Sequence, residues 1–135
     1  MSGQIVLIDD EKLVMKYYIR AMEERGYTVK QLYDPDSAFE YLQTKPKLIA
    51  AILDIMMKSG DIYKGKETDA GLKTGVLLYE DVRKMFPDLP IIVLTNVTNN
   101  GTLDSFPKHD KLKILKKLEY PPFDLVDEVD KMIEK

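Results

Sequence analysis

Short, continuously apolar runs recur along the chain, and each stops abruptly at a polar residue. Ile5-Val6-Leu7-Ile8 closes on Asp9-Asp10-Glu11, Leu48–Leu53 on Asp54, and Ile91–Leu94 on Thr95-Asn96; Leu112–Leu115, interrupted by Lys113, is a fifth strand candidate ahead of Lys116-Lys117. Apolar runs without polar alternation are the pattern of strands covered on both faces, as in a parallel sheet. Thr28–Tyr33 predicts one more strand.

Between these runs the spacing becomes helical. Leu13, Val14, Tyr17, Tyr18, Ala21 and Met22 predict one face of a helix that Gly26 terminates. The acidic residues ahead of it suit the positive end of the helix dipole. Asp34-Pro35 predicts a helix start, with aspartate as the cap and proline in the first turn. Ala38, Phe39 and Leu42 give that helix its apolar face, and Pro46 marks its exit. Gly75–Phe86 predicts a third helix, and Pro121-Pro122 opens a last one carrying Phe123, Leu125, Val126, Val129, Met132 and Ile133. Two stretches have no period: Lys58–Thr74, long for a strand-to-helix connection, and Val97–Asp110, broken at Asn99-Asn100-Gly101. Strands alternating with helices predict an open parallel α/β sheet, and with no repeat or linker residues 1–135 read as one domain.

Composition narrows the chemistry. The 135 residues fit one domain, and 44% hydrophobic with 32% charged residues is the balance of a globular protein. With 20 Lys+Arg against 23 Asp+Glu, nothing draws the chain generally to nucleic acid or to an anionic membrane. The absence of cysteine excludes disulfides, thiolate metal sites and cysteine nucleophiles. The single histidine, His109, excludes multi-histidine metal centres and reads as a surface loop residue. Met1-Ser2-Gly3-Gln4 has neither the charge nor the apolar stretch of a leader, and no run reaches the length of a membrane span. The expectation is a cytoplasmic protein with no membrane partner and no direct nucleic-acid partner.

In an open α/β sheet the functional crevice lies beyond the carboxyl ends of the strands. Asp9 and Asp10, Asp54, Thr95 and Lys116 stand at those ends. Three carboxylates held together repel one another, and a divalent cation offsets that repulsion; Mg²⁺ suits a site built of oxygen ligands. The Asp54 carboxylate is then a nucleophile for a phosphoryl group, whose oxygens Lys116 and Thr95 can engage. Each residue taken singly has a plainer reading. Asp9 and Asp10 suit helix capping, Asp54 a solvated strand end, Thr95 a strand-end hydroxyl, and Lys116-Lys117 a solvated basic pair. Their conjunction carries the chemistry.

Val6-Leu7-Ile8-Asp9-Asp10-Glu11, Leu53-Asp54-Ile55-Met56-Met57, Ile92-Val93-Leu94-Thr95 and Ile114-Leu115-Lys116 together resemble the motifs of the response-regulator receiver domain of two-component systems. The resemblance covers nearly the whole chain. It implies a flavodoxin-like, doubly wound, five-stranded parallel sheet of strand order 2-1-3-4-5, and a single receiver-like domain over residues 1–135. It makes Asp54 the phosphoacceptor, gives Mg²⁺ to Asp9, Asp10, Asp54 and the backbone carbonyl of Met56, and makes Thr95 and Lys116 the sensors of the phosphoryl group. The implied donor is a sensor histidine kinase or a histidine phosphotransfer protein. The implied output is contact with a downstream protein partner, without turnover of an external substrate. With the last helix at the chain terminus, a stand-alone receiver is expected.

Several positions depart from the family pattern. Lys117 stands where a proline usually follows the lysine, which leaves Lys116 and Lys117 as alternatives; Lys116 is favoured because Ile114-Leu115 read as the strand's last buried pair. Asn96 replaces a small residue, and Lys113 lies where an aromatic switch residue is usual. Val97–Asp110 forms an irregular fourth-helix region, and Lys58–Thr74 is longer than the family norm. These departures keep open a pseudo-receiver that acts without phosphate. A metal-dependent phosphohydrolase of the haloacid-dehalogenase kind is disfavoured, because Met56 stands where its acid–base aspartate belongs and cannot transfer a proton. Apolar Met56 and Val97 lead, by the same likeness, to the expectation of a long-lived phosphorylated state.

Overall fold

Each apolar run becomes a strand in the computed structural model, which describes residues 3–54, 60, 74–95 and 106–133. The strands are β1 (Gln4–Ile8), β2 (Thr28–Leu32), β3 (Leu48–Leu53), β4 (Ile91–Thr95) and β5 (Leu112–Lys116). All neighbouring strands pair in parallel, in the order β2-β1-β3-β4-β5. This is the expected doubly wound sheet. The helices are α1 (Lys12–Glu24), α2 (Pro35–Gln43), α3 (Thr74–Met85) and α4 (Pro122–Ile133), with a 3₁₀ turn over Lys117–Glu119.

Strand alternation sorts the core into two layers. Val6 and Ile8, Ala51 and Leu53, and Ile91 and Val93 pack with Ala38 and Leu42 of α2 and with Leu78, Tyr79 and Val82 of α3. Ile5 and Leu7, Ala50 and Ile52, and Ile92 and Leu94 pack on the other face with Met15, Tyr18 and Met22 of α1 and with Leu125, Val126 and Val129 of α4. Arg25 pairs with Asp127 at 3.1 Å and also with Asp130, so the end of α1 is clasped to α4. Gly26, at φ +102°, takes the left-handed conformation that closes α1, as its position predicts. Asp34 caps α2 by accepting from the Ser37 amide at 2.7 Å.

The apolar face of α1 differs in detail from its expectation. Leu13 and Tyr17 are 78% and 58% exposed, because Met15, Tyr18 and Met22 turn the buried stripe away from them. Between β4 and β5, residues 106–111 contain no helix; residues 96–105, with Asn96 and Val97, lie outside the described residues. So does most of the Lys58–Thr74 stretch, although Thr74 itself starts α3 and is fully buried. Among the described residues no helix is long and apolar enough to cross a membrane.

Candidate functional site

Register brings the acidic strand ends level. Ile8 of β1 is the partner of Leu53 of β3, so Asp9 and Asp54 leave the sheet side by side. The Asp54 amide donates to the Ile8 carbonyl at 3.0 Å, and the Asp9 amide to the Leu32 carbonyl at 3.1 Å, which fixes both residues at the sheet edge. Asp9 and Asp54 are buried. Asp9 accepts the Glu11 amide at 2.9 Å, a tight turn that returns Glu11 to the side of Asp9 and leaves Asp10 exposed. Carboxylate oxygens of Asp9, Glu11 and Asp54 lie within 4.8 Å of one another.

Among the described residues, the cation of the site is Lys117. Its Nζ lies 2.7 Å from Glu11 Oε1, 3.0 Å from Asp9 Oδ2 and 3.8 Å from Asp54 Oδ2. Lys116, the expected choice, ends β5 exposed to solvent. Alternation explains the correction. Leu112 and Ile114 pack towards α2 and α3, whereas Leu115 packs towards α1 and α4. Lys116 therefore continues the first face, and Lys117, opening the 3₁₀ turn, continues the second, which Asp9 and Asp54 share with Leu7 and Ile52. Counting in twos from Leu115 would have selected Lys117.

Thr95 ends β4, fully buried, as the register partner of Lys116. The site thus unites Asp9 and Asp54 with Lys117, adds Glu11, and sets Thr95 at the end of the strand next to β3. Glu11 was missed because three acids in a row read as a helix start. The i to i+2 spacing from Asp9 is the signal that recovers it. Met56, whose carbonyl was expected to ligate, lies outside the described residues, as does most of the neighbouring loop.

Burial pushes the Asp9 carboxyl above its ordinary value of 3.8, and the Glu11 amide and Lys117 pull it back only in part. An ion pair alone would lower it, but one ammonium is shared among three carboxylates. Burial likewise pulls the Lys117 ammonium down, yet Asp54, Glu11 and Asp9 together overcome this and hold it well above the usual lysine value. Among the described residues, three carboxylates against one ammonium give a formal charge of −2. Hard oxygen donors with that residual charge fit a divalent cation such as Mg²⁺.

A pH dependence follows. Folded Asp9 holds its proton more readily than the unfolded chain, so its contribution to stability falls as pH rises from 3.8 through the raised value. Denaturant titrations in chelator are expected to show this downward slope in the native protein relative to Asp9→Asn. Parallel curves for the two proteins would contradict it.

Residues 5–127 match the family described as Response regulator receiver domain. The chain is 27% identical over 133 residues to the response regulator receiver protein CpdR of Brucella abortus, covering 96% of each. It is 30% identical over 95 residues to the regulatory protein VanRc of Enterococcus gallinarum, a match covering 70% of this chain and 35% of that one. The chain thus spans about a third of that relative's length. A response regulator receiver protein from Sinorhizobium medicae has the same fold, with a TM-score of 0.76 at 17% identity, covering 98% of this chain and 95% of that one.

Proposed function

The chain belongs to the family of response regulator receiver domains, and we propose that it works as a phosphoacceptor, taking a phosphoryl group on Asp54 and signalling through protein contacts. One observation carries this reading: buried Asp54 stands at a strand end with Asp9 and the Lys117 ammonium beside it. An Asp54 carboxylate oxygen forms the bond to phosphorus while the phosphorus–nitrogen bond of a phosphohistidine donor breaks, the electron pair leaving with the imidazole nitrogen. Lys117 neutralises developing charge on a phosphoryl oxygen, and the Thr95 hydroxyl donates to another. Asp9 and Asp54 are the proposed Mg²⁺ ligands, with Asp10 and the Met56 carbonyl completing the set. When bound, the metal supplies charge neutralisation for the incoming phosphoryl group. The donor class is a sensor histidine kinase or histidine phosphotransfer protein, the recipient of the signal a protein, and the compartment the cytoplasm. Residues 1–135 act as one domain in this reading, without turnover of an external substrate.

Incubation with a small phosphodonor and Mg²⁺, followed by intact mass measurement, is expected to add one phosphoryl group to the native chain and none to Asp54→Asn. Uptake that persists in Asp54→Asn would reject the assignment.

A second reading, an interaction module that works without phosphate, has one observation in its favour. Lys117 is already held more closely by Glu11 and Asp9, at 2.7 and 3.0 Å, than by Asp54, at 3.8 Å. Partner binding that is the same for native protein and Asp54→Asn, with and without phosphodonor, would select it.

A further inference from the structure

We propose that Glu11 is a resting-state latch on Lys117, occupying the ammonium until a phosphoryl group on Asp54 displaces it. The inference rests on the phosphoacceptor reading of Asp54. Glu11 is the N-cap residue of α1, yet its side chain makes no capping hydrogen bond. The carboxylate instead crosses to Lys117 Nζ at 2.7 Å, joining the start of α1 to the turn after β5.

A lysine ammonium has three N–H donors. Here Glu11 and Asp9 hold it at 2.7 and 3.0 Å, whereas the nearest Asp54 oxygen, at 3.8 Å, is beyond hydrogen-bond reach. Drawing Nζ onto a phosphoryl oxygen carried by Asp54 thus pulls it away from one of its two close partners. The Asp9 and Asp54 side chains are 1% and 5% exposed and cannot leave without stranding a buried charge. The Glu11 side chain is 46% exposed and can turn into water at little cost. Glu11 is therefore the partner that yields. Its release breaks the tie between α1 and the turn after β5, which makes the start of α1 responsive to the state of Asp54.

Beryllofluoride binding at saturating Mg²⁺ tests this, measured for the native protein, Glu11→Gln and Glu119→Gln. The last variant removes an equal charge from an exposed position of the turn after β5. Glu11→Gln is expected to bind the mimic about two- to fivefold tighter, the range a half-exposed ion pair supplies, with Glu119→Gln like the native protein. Tight native binding with no gain in Glu11→Gln would overturn the latch alone. A large loss of Mg²⁺ affinity in Glu11→Gln would also overturn it, making Glu11 a metal ligand instead. If no protein binds the mimic, the phosphoacceptor reading fails and the latch with it. Thermal unfolding of each variant confirms that the compared proteins are folded.

Discussion

Lys117→Ala is expected to destabilise the metal-free protein by about 3–5 kcal/mol at neutral pH, while Lys116→Ala changes stability by no more than about 0.5 kcal/mol. Lys117 is buried among Asp9, Glu11 and Asp54, and its removal takes away the ammonium that these three charges share. Lys116 is exposed and has no part in that cluster. The defect should shrink when Mg²⁺ is added, because bound cation restores the balance and stabilises the folded state by mass action. It should also shrink as pH falls and the carboxylates take up protons. In the native protein the raised Lys117 value contributes stability that is fully present below pH 10.5 and lost only as pH rises through the folded value. Urea titrations of both variants, with and without Mg²⁺, check all of this. Equal effects of the two substitutions would return the site lysine to an open choice.

Tyr79→Ala is the second large effect, an expected loss of about 3–5 kcal/mol. Tyr79 is among the largest fully buried side chains, and its ring meets Phe106 edge-on with centroids 5.5 Å apart. Its hydroxyl accepts from Arg83 Nε at 3.1 Å. Arg83 in turn donates to the Leu89 carbonyl at 2.7 Å and the Lys111 carbonyl at 3.1 Å, tying α3 to the approach to β4 and to β5. Tyr79→Phe keeps the packing and loses only the hydroxyl contact, so about 1 kcal/mol is expected. Denaturant midpoints of the two variants separate core volume from the arginine bond. A Tyr79→Phe loss as large as that of Tyr79→Ala would show that the arginine network, not the ring, holds this corner.

Much of the architecture was legible because local signals agreed with the global fold. The apolar runs at β1, β3 and β4 are buried on both faces, Asp34 and Pro35 start α2, and Gly26 ends α1. Errors arose where a one-residue shift matters. On α1, Leu13 and Tyr17 point well away from Met15, Tyr18 and Met22, and an expected apolar face spread over about half the helix circumference took them in while omitting Met15. On β5, both lysines follow an apolar run, and only the layer in which Leu115 packs tells them apart.

The sequence by itself determined the alternation of strands and helices, the carboxylates and cations available at the strand ends, and the exclusion of cysteine and multi-histidine chemistry. Those follow from periodicity and composition, which are properties of neighbouring residues. Which side chains meet was decided by tertiary structure alone. Parallel register set Asp9 beside Asp54, the turn at Asp9 brought in Glu11 and left Asp10 exposed, and strand parity chose Lys117 over Lys116. The Glu11–Lys117 pair joins residues 106 positions apart, a separation no local pattern spans.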